Sequence, residues 1–176
     1  LGQLYLLDRK YELALNQFLS LAKIDENNDN YFTIIGDLYK FKKQWNKSIN
    51  FYLKAFELNP QNFKVLESAM RVSLSAELFN KAEIICKKLI NYDSNNTSYW
   101  LTYKQITAYN KNYDKTLIAI SELERIDGNK ITLTLEKSAV MQELNDIDTA
   151  IKFLVEAYDP DNADLGIVKR LVSLYI

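Results

Sequence analysis

The chain matches itself when shifted by 34 residues, with no insertion or deletion. Gly36 falls on Gly2, and Tyr39 on Tyr5. Trp45 aligns with Tyr11, Phe79, Tyr113 and Ile147; Ser48 aligns with Ala14, Ala82, Thr116 and Ala150. Tyr52 aligns with Phe18, Cys86, Ile120 and Leu154. A fixed period of about 20–50 residues restricts a chain to a repeat array, in which each unit buries its apolar face only against its neighbours.

The unit at 29–62 shows what is repeated. Phe32, Ile35, Gly36 and Tyr39 mark one face of a first helix. Trp45, Ser48, Ile49, Tyr52, Ala55 and Phe56 mark one face of a second, and Pro60 stands just past its end. Apolar residues three and four apart form a single helical stripe, and a proline cannot continue the helix before it. The same stripe recurs at Ala14, Leu15, Phe18, Leu21 and Ala22. The units run 1–28 (partial), 29–62, 63–96, 97–130, 131–164 and 165–176 (partial). They predict eleven helices and no strand, and the 4 Gly and 2 Pro are too few for a turn-rich β protein. Thr97 or Ser98 is the expected N-cap of the seventh helix, and Asp127-Gly128 the expected stop of the eighth. No composition shift or linker interrupts the chain, so a single domain over 1–176 is expected. The chain opens on Leu1 part-way through a unit and reads as a fragment. Val168, Leu171, Val172 and Tyr175 read as a face awaiting a second helix, supplied by further chain or by another molecule, self-association through this helix included.

The period and these residue classes together resemble the tetratricopeptide repeat, whose signature places a Trp-Leu-Gly-Tyr series on the first helix and an Ala-Phe-Ala-Pro series across the second. Phe32, Ile35, Gly36, Tyr39, Ser48, Tyr52, Ala55 and Pro60 match it most fully. The unit at 131–164 departs from it on the first helix, at Thr134, Lys137 and Ser138. The resemblance implies an all-α, right-handed superhelical α-solenoid of antiparallel helix hairpins, about five and a half 34-residue repeats long. Its physical logic is close approach at small residues: Gly36 should face Ser48, with Ala14, Ala82 and Ala150 at the equivalent crossings.

The resemblance also implies a peptide groove on the first helices. Carried over place by place, that groove holds Asn30, Thr33, Asp37, Lys40 and Phe41, then Lys64, Glu67, Ser68, Arg71 and Ser75. It continues with Ser98, Leu101, Thr102, Gln105 and Tyr109, then Thr132, Leu135, Glu136, Ala139 and Gln142. The candidate contact residues are Asp37, Lys40, Phe41, Lys64, Glu67 and Arg71, together with Leu101, Gln105, Tyr109 and Leu135. Some members clamp a terminal carboxylate with Lys and Asn, then Asn, then Lys and Arg; here Thr33, Asp37, Ser68, Ser98 and Thr102 hold those places, so that mode is not expected.

Other chemistry finds little footing. There is no His, which removes His-based triads and His metal ligands. No Gly-rich phosphate loop occurs, no acidic pair sits in a motif, and no cofactor is expected. Cys86 stands where Phe18, Tyr52, Ile120 and Leu154 stand, so it reads as core. The 12 Tyr and 2 Trp fall mostly on the core period, and a net charge of −1 lacks the basic groove that nucleic acid requires. Lys40, Lys42, Lys43 and Lys47 cluster around one turn without recurring at 34 residues, and read as a solvated turn. No apolar run approaches the ~18 residues of a membrane span. The expectation is a non-catalytic scaffold that binds a partner peptide or domain in its concave groove. The alternatives are a spacer or self-assembling array, and the regulatory arm of a larger enzyme.

Overall fold

The computed structural model describes residues 1–176 and contains helices only. They are α1 (Gly2–Leu7), α2 (Tyr11–Ile24), α3 (Asp29–Phe41), α4 (Trp45–Leu58), α5 (Phe63–Ser75) and α6 (Phe79–Tyr92), followed by α7 (Thr97–Tyr109), α8 (Tyr113–Asp127), α9 (Ile131–Glu143), α10 (Ile147–Ala157) and α11 (Leu165–Tyr175). The architecture is an α-solenoid of helix hairpins, as the period predicts. The chain divides into two compact units, Leu1–Tyr92 and Asp93–Ile176. In the first, each helix from α1 to α6 packs on the next; in the second, α7 to α11 do the same and α11 also reaches α9.

Within the first unit the close approach lies where it was expected. Ser48 Oγ donates to the Gly36 carbonyl at 2.8 Å, so a buried hydroxyl is satisfied by the helix it crosses. A Cβ on Gly36 would lie 2.8 Å from the Tyr52 ring, and one on Gly2 would lie 3.0 Å from the Phe18 ring. Small residues therefore stand opposite aromatic rings. Met70 and Cys86 hold the two equivalent places on α5 and α6, a larger residue against a smaller one. In the second unit Thr116 Oγ1 donates to Thr107 Oγ1 at 3.0 Å, again at a hairpin crossing. Ala14, Ala82 and Ala150 have no exposed surface. Leu21 is only half-buried, so the stripe on α2 is narrower than its spacing suggested.

Each hairpin turns the same way. Arg9, Lys43, Glu77, Lys111 and Asn145, spaced 34 apart, have φ between 55° and 61°. The Lys43 N–H bonds the Lys40 carbonyl and the Gln44 N–H bonds the Tyr39 carbonyl, both at 2.9 Å; the other four turns repeat the pair. This Schellman ending satisfies carbonyls that the helix leaves unpaired, and it needs one left-handed residue. Four of the five are side chains for which that conformation costs about 1–2 kcal/mol, while Asn tolerates it. Glu77→Gly is accordingly expected to stabilise by about 0.5–1 kcal/mol in urea unfolding, after the entropy that glycine adds to the unfolded chain. Asn145→Gly should gain clearly less, and an equal gain would sink the strain argument.

The expected cap of α7 needs correction. The N-cap of α7 is Asn96, not Thr97 or Ser98: its side-chain oxygen accepts from both the Ser98 and Tyr99 N–H groups. Asn is as good a cap as Ser, and here it stands one residue earlier with both donors in reach. Thr97 instead donates to Asp127 at 3.2 Å. On α11 the buried residue is Ile167, at 1% exposure, whereas Val168 and Leu171 are half-buried and Val172 and Tyr175 are exposed. α11 touches α9 and α10, and Val172 and Tyr175 are left uncovered.

Candidate functional site

In the first unit α3 supplies Asp37, Lys40 and Phe41, and α5 supplies Lys64, Glu67 and Arg71. Asp37 Oδ1 is the hub. It accepts from Tyr52 Oη at 2.6 Å and from Lys40 Nζ at 2.6 Å. Lys40 also lies 5.9 Å over the Tyr52 ring. Burial raises the Tyr52 phenol above its ordinary range, and the hydrogen bond to Asp37 adds to this; the Arg71 charge acts the other way. Tyr52 is 1% exposed, so a core ring fixes the carboxylate that in turn tethers Lys40.

Lys40 and Arg71 face one hollow of about 430 Å³, whose other walls are Trp45, Ser68, Val72 and Ser75. The structure thus brings Lys40 and Arg71 together with two serines and an indole. In the sequence Trp45 falls on the second-helix stripe and not among the groove residues, since its 34-residue equivalents Tyr11, Phe79 and Tyr113 also begin second helices. Phe41 lies elsewhere: its ring centroid is 4.3 Å from that of Tyr11, and the two line a separate hollow beside the α1–α2 turn. Phe41 still keeps 63% of its surface exposed. Lys64 is exposed and Glu67 half-buried on α5. The lysine cluster at this turn is largely engaged, with Lys42 paired to Glu12 and Lys47 over the Tyr39 ring.

In the second unit α7 carries Leu101, Gln105 and Tyr109, all exposed, and α9 carries Leu135. Leu101 borders a hollow of about 220 Å³ crossed by the Lys104–Glu136 pair at 2.5 Å. Leu135 is half-buried against the start of α11, where a Cβ on Gly166 would lie 3.1 Å from its Cδ1. It fills a gap as well as facing outward.

The departures on α9 have a partner. Lys137 pairs with Glu124 of α8, both side chains are mostly buried, and Lys137 lies 5.5 Å over the Phe153 ring. The places equivalent to Glu124 hold Ala22, Phe56 and Ile90, and those equivalent to Lys137 hold Ile35, Ala69 and Tyr103. An ion pair therefore stands at an otherwise apolar packing position. Beside it is a polar hollow of about 360 Å³ that includes Thr134 and Glu156.

Cys86 is fully buried, and burial pushes its thiol up to about 12. The thiolate is the reactive form, so the folded protein should leave Ellman's reagent unreacted at pH 8 until denaturant is added. Because the folded value exceeds the ordinary 9.0, the contribution to stability is complete below pH 9 and is lost as pH rises toward 12. Cys86→Ala should flatten that alkaline loss, and an unchanged pH profile would count against it.

No group of three His, Cys, Asp or Glu residues is placed to hold a metal ion, and no helix is long and apolar enough to cross a membrane.

Comparison with known proteins places these hairpins. The tetratricopeptide-repeat family model matches residues 30–62. No curated protein matches in sequence. Among solved structures, YrrB, described as "a TPR protein with an unusual peptide-binding site", is 15% identical with a TM-score of 0.58, over 89% of this chain and 80% of that one. MamA 41-end from Desulfovibrio magneticus RS-1 is 13% identical with a TM-score of 0.55, over 98% and 92%. A chain in the structure of Naa15/Naa10 bound to HypK-THB is 15% identical with a TM-score of 0.80, over 98% of this chain but 27% of that one. At such identities the likeness is one of fold.

Proposed function

We propose that this tetratricopeptide-repeat protein is a non-catalytic interaction scaffold that holds an extended segment of a partner protein along the exposed side of its first helices. The observation that carries the reading is the α3–α5 face of the first unit. There Lys40 and Arg71 share a hollow with Trp45, while the apolar stripes of α3 and α5 are consumed in packing. Interfaces draw their energy from a few desolvated aromatic and arginine side chains within a polar surround, and this face offers both. In the second unit Leu101 and Tyr109, 40% and 66% exposed, are the corresponding apolar contacts on α7. The alternation of Asp37, Lys40, Lys64, Glu67 and Arg71 favours a mixed-charge peptide over nucleic acid.

The test is affinity capture of a partner from lysate followed by substitution. Arg71→Ala, on an exposed side chain, should abolish or strongly weaken capture while leaving the melting temperature within a degree or two. Lys88→Ala, on the exposed side of α6, should change neither. Capture that survives Arg71→Ala and fails with Lys88→Ala would move the binding face to the second helices. A chain that captures only copies of itself would favour the self-assembling array.

A further inference from the structure

The geometry points to the α3–α5 hollow as a subsite for one acidic side chain, an aspartate or glutamate of the bound peptide, with a neighbouring apolar side chain laid against Trp45 and Val72. This rests on the peptide-scaffold reading and names the ligand chemistry of its strongest face.

The lining decides the sign. Lys40, Arg71, Ser68, Ser75 and the Trp45 indole can all donate hydrogen bonds, and no carboxylate lines the hollow. Asp37 of α3 is committed to Tyr52 and Lys40. Lys40 is therefore partly neutralised, and Arg71 has no hydrogen-bond or ion-pair partner of its own. An arginine fork without a carboxylate presents paired donors that match a carboxylate in two-point geometry. Two other cations of this unit are engaged elsewhere: Lys42 pairs with Glu12, and Lys81 donates to Asn46. The remaining wall is apolar, and about 430 Å³ falls within the range of small-ligand pockets, room for two adjacent side chains rather than one. The tether of Lys40 to Asp37 also limits what the site can accept. A cationic peptide group would meet Arg71 with no acid free to offset it.

The experiment is selection of a random peptide library displayed on phage, against the full chain and against its Arg71→Glu variant, with melting curves to confirm that both are folded. On the unaltered protein the enriched peptides should carry Asp or Glu beside a large apolar residue. On Arg71→Glu that acidic preference should vanish or turn to Lys and Arg. For one selected glutamate peptide, Arg71→Ala should raise Kd about tenfold, as expected for loss of a charge-assisted contact, and added salt should weaken binding to the unaltered protein more than to the variant. Peptides enriched without an acidic residue, or the same acidic preference on both proteins, would overturn the subsite and leave the scaffold reading standing. No enrichment on the unaltered protein would remove the scaffold reading itself. A peptide that binds with phosphoserine but not with glutamate at the acidic position would overturn the carboxylate assignment in favour of a phosphate.

Discussion

Tyr52→Cys is expected to destabilise the first unit by about 3–5 kcal/mol, the range for deleting a large buried aromatic side chain. Gly36→Met alone should be as damaging, since even a Cβ would meet the Tyr52 ring at 2.8 Å and the ring is held by Asp37. Made together, the two substitutions should recover most of the loss, because Met and Cys are what this chain already places at the equivalent positions 70 and 86. The coupling measured by a double-mutant cycle should therefore be at least about 3 kcal/mol, at or beyond the upper end usual for residues in contact. Thermal or urea unfolding of the four proteins gives the number. Additive losses would show that the crossing of α3 and α4 is not a space shared between these two side chains.

Lys137→Ala should cost the second unit about 3 kcal/mol. It leaves the mostly buried Glu124 carboxylate without its partner, and breaking one half of a buried pair is penalised more than the pair itself contributes. The adjoining hollow keeps the figure at the lower end, since water can reach the orphaned charge. Glu124→Phe combined with Lys137→Ala installs the residues found at the equivalent places, Phe56 and Ala69, and should unfold at or above the denaturant midpoint of the unaltered protein. If the double variant is as weak as the single, α8 and α9 do not meet as α4 and α5 do.

How much of this was legible depends on the range of the signal. Helix ends follow local chemistry, so the period places α2 at Tyr11–Ile24 and α4 at Trp45–Leu58, and Gly128 closes α8. The Gly36–Ser48 crossing was legible because both residues are small and recur in register. The Asn96 cap was hidden among six polar residues in a row, Asp93 to Ser98, where several side chains could do the same work. The Glu124–Lys137 pair was half visible: Lys137 stood out as a departure from the apolar pattern, but its partner lies on another helix and no periodicity links the two. The Lys40–Arg71 hollow was likewise beyond the sequence as a shape. Both residues were expected on the groove, yet Trp45, a wall of the same hollow, belongs to the second-helix pattern. Phe41 and Tyr11 show the opposite case, an exposed aromatic whose ring contact comes from the preceding hairpin.

The packing order within each unit bears on how the chain folds. Inside each unit every helix touches the helix next to it in sequence, and α11 reaches back only as far as α9. Even the longer tethers, Glu12 with Lys42 between hairpins and Asp29 with Asn59 within one, close loops of about thirty residues. Chains dominated by such short-range contacts have low contact order and fold in microseconds to milliseconds, since little loop entropy is lost before each contact forms. A hairpin can therefore dock on its predecessor as soon as it leaves the ribosome, without waiting for any distant segment. The Glu124–Lys137 junction should be the slow step of that progression in the second unit, because two charges must be desolvated there, whereas the α7–α8 crossing buries only neutral hydroxyls at Thr107 and Thr116.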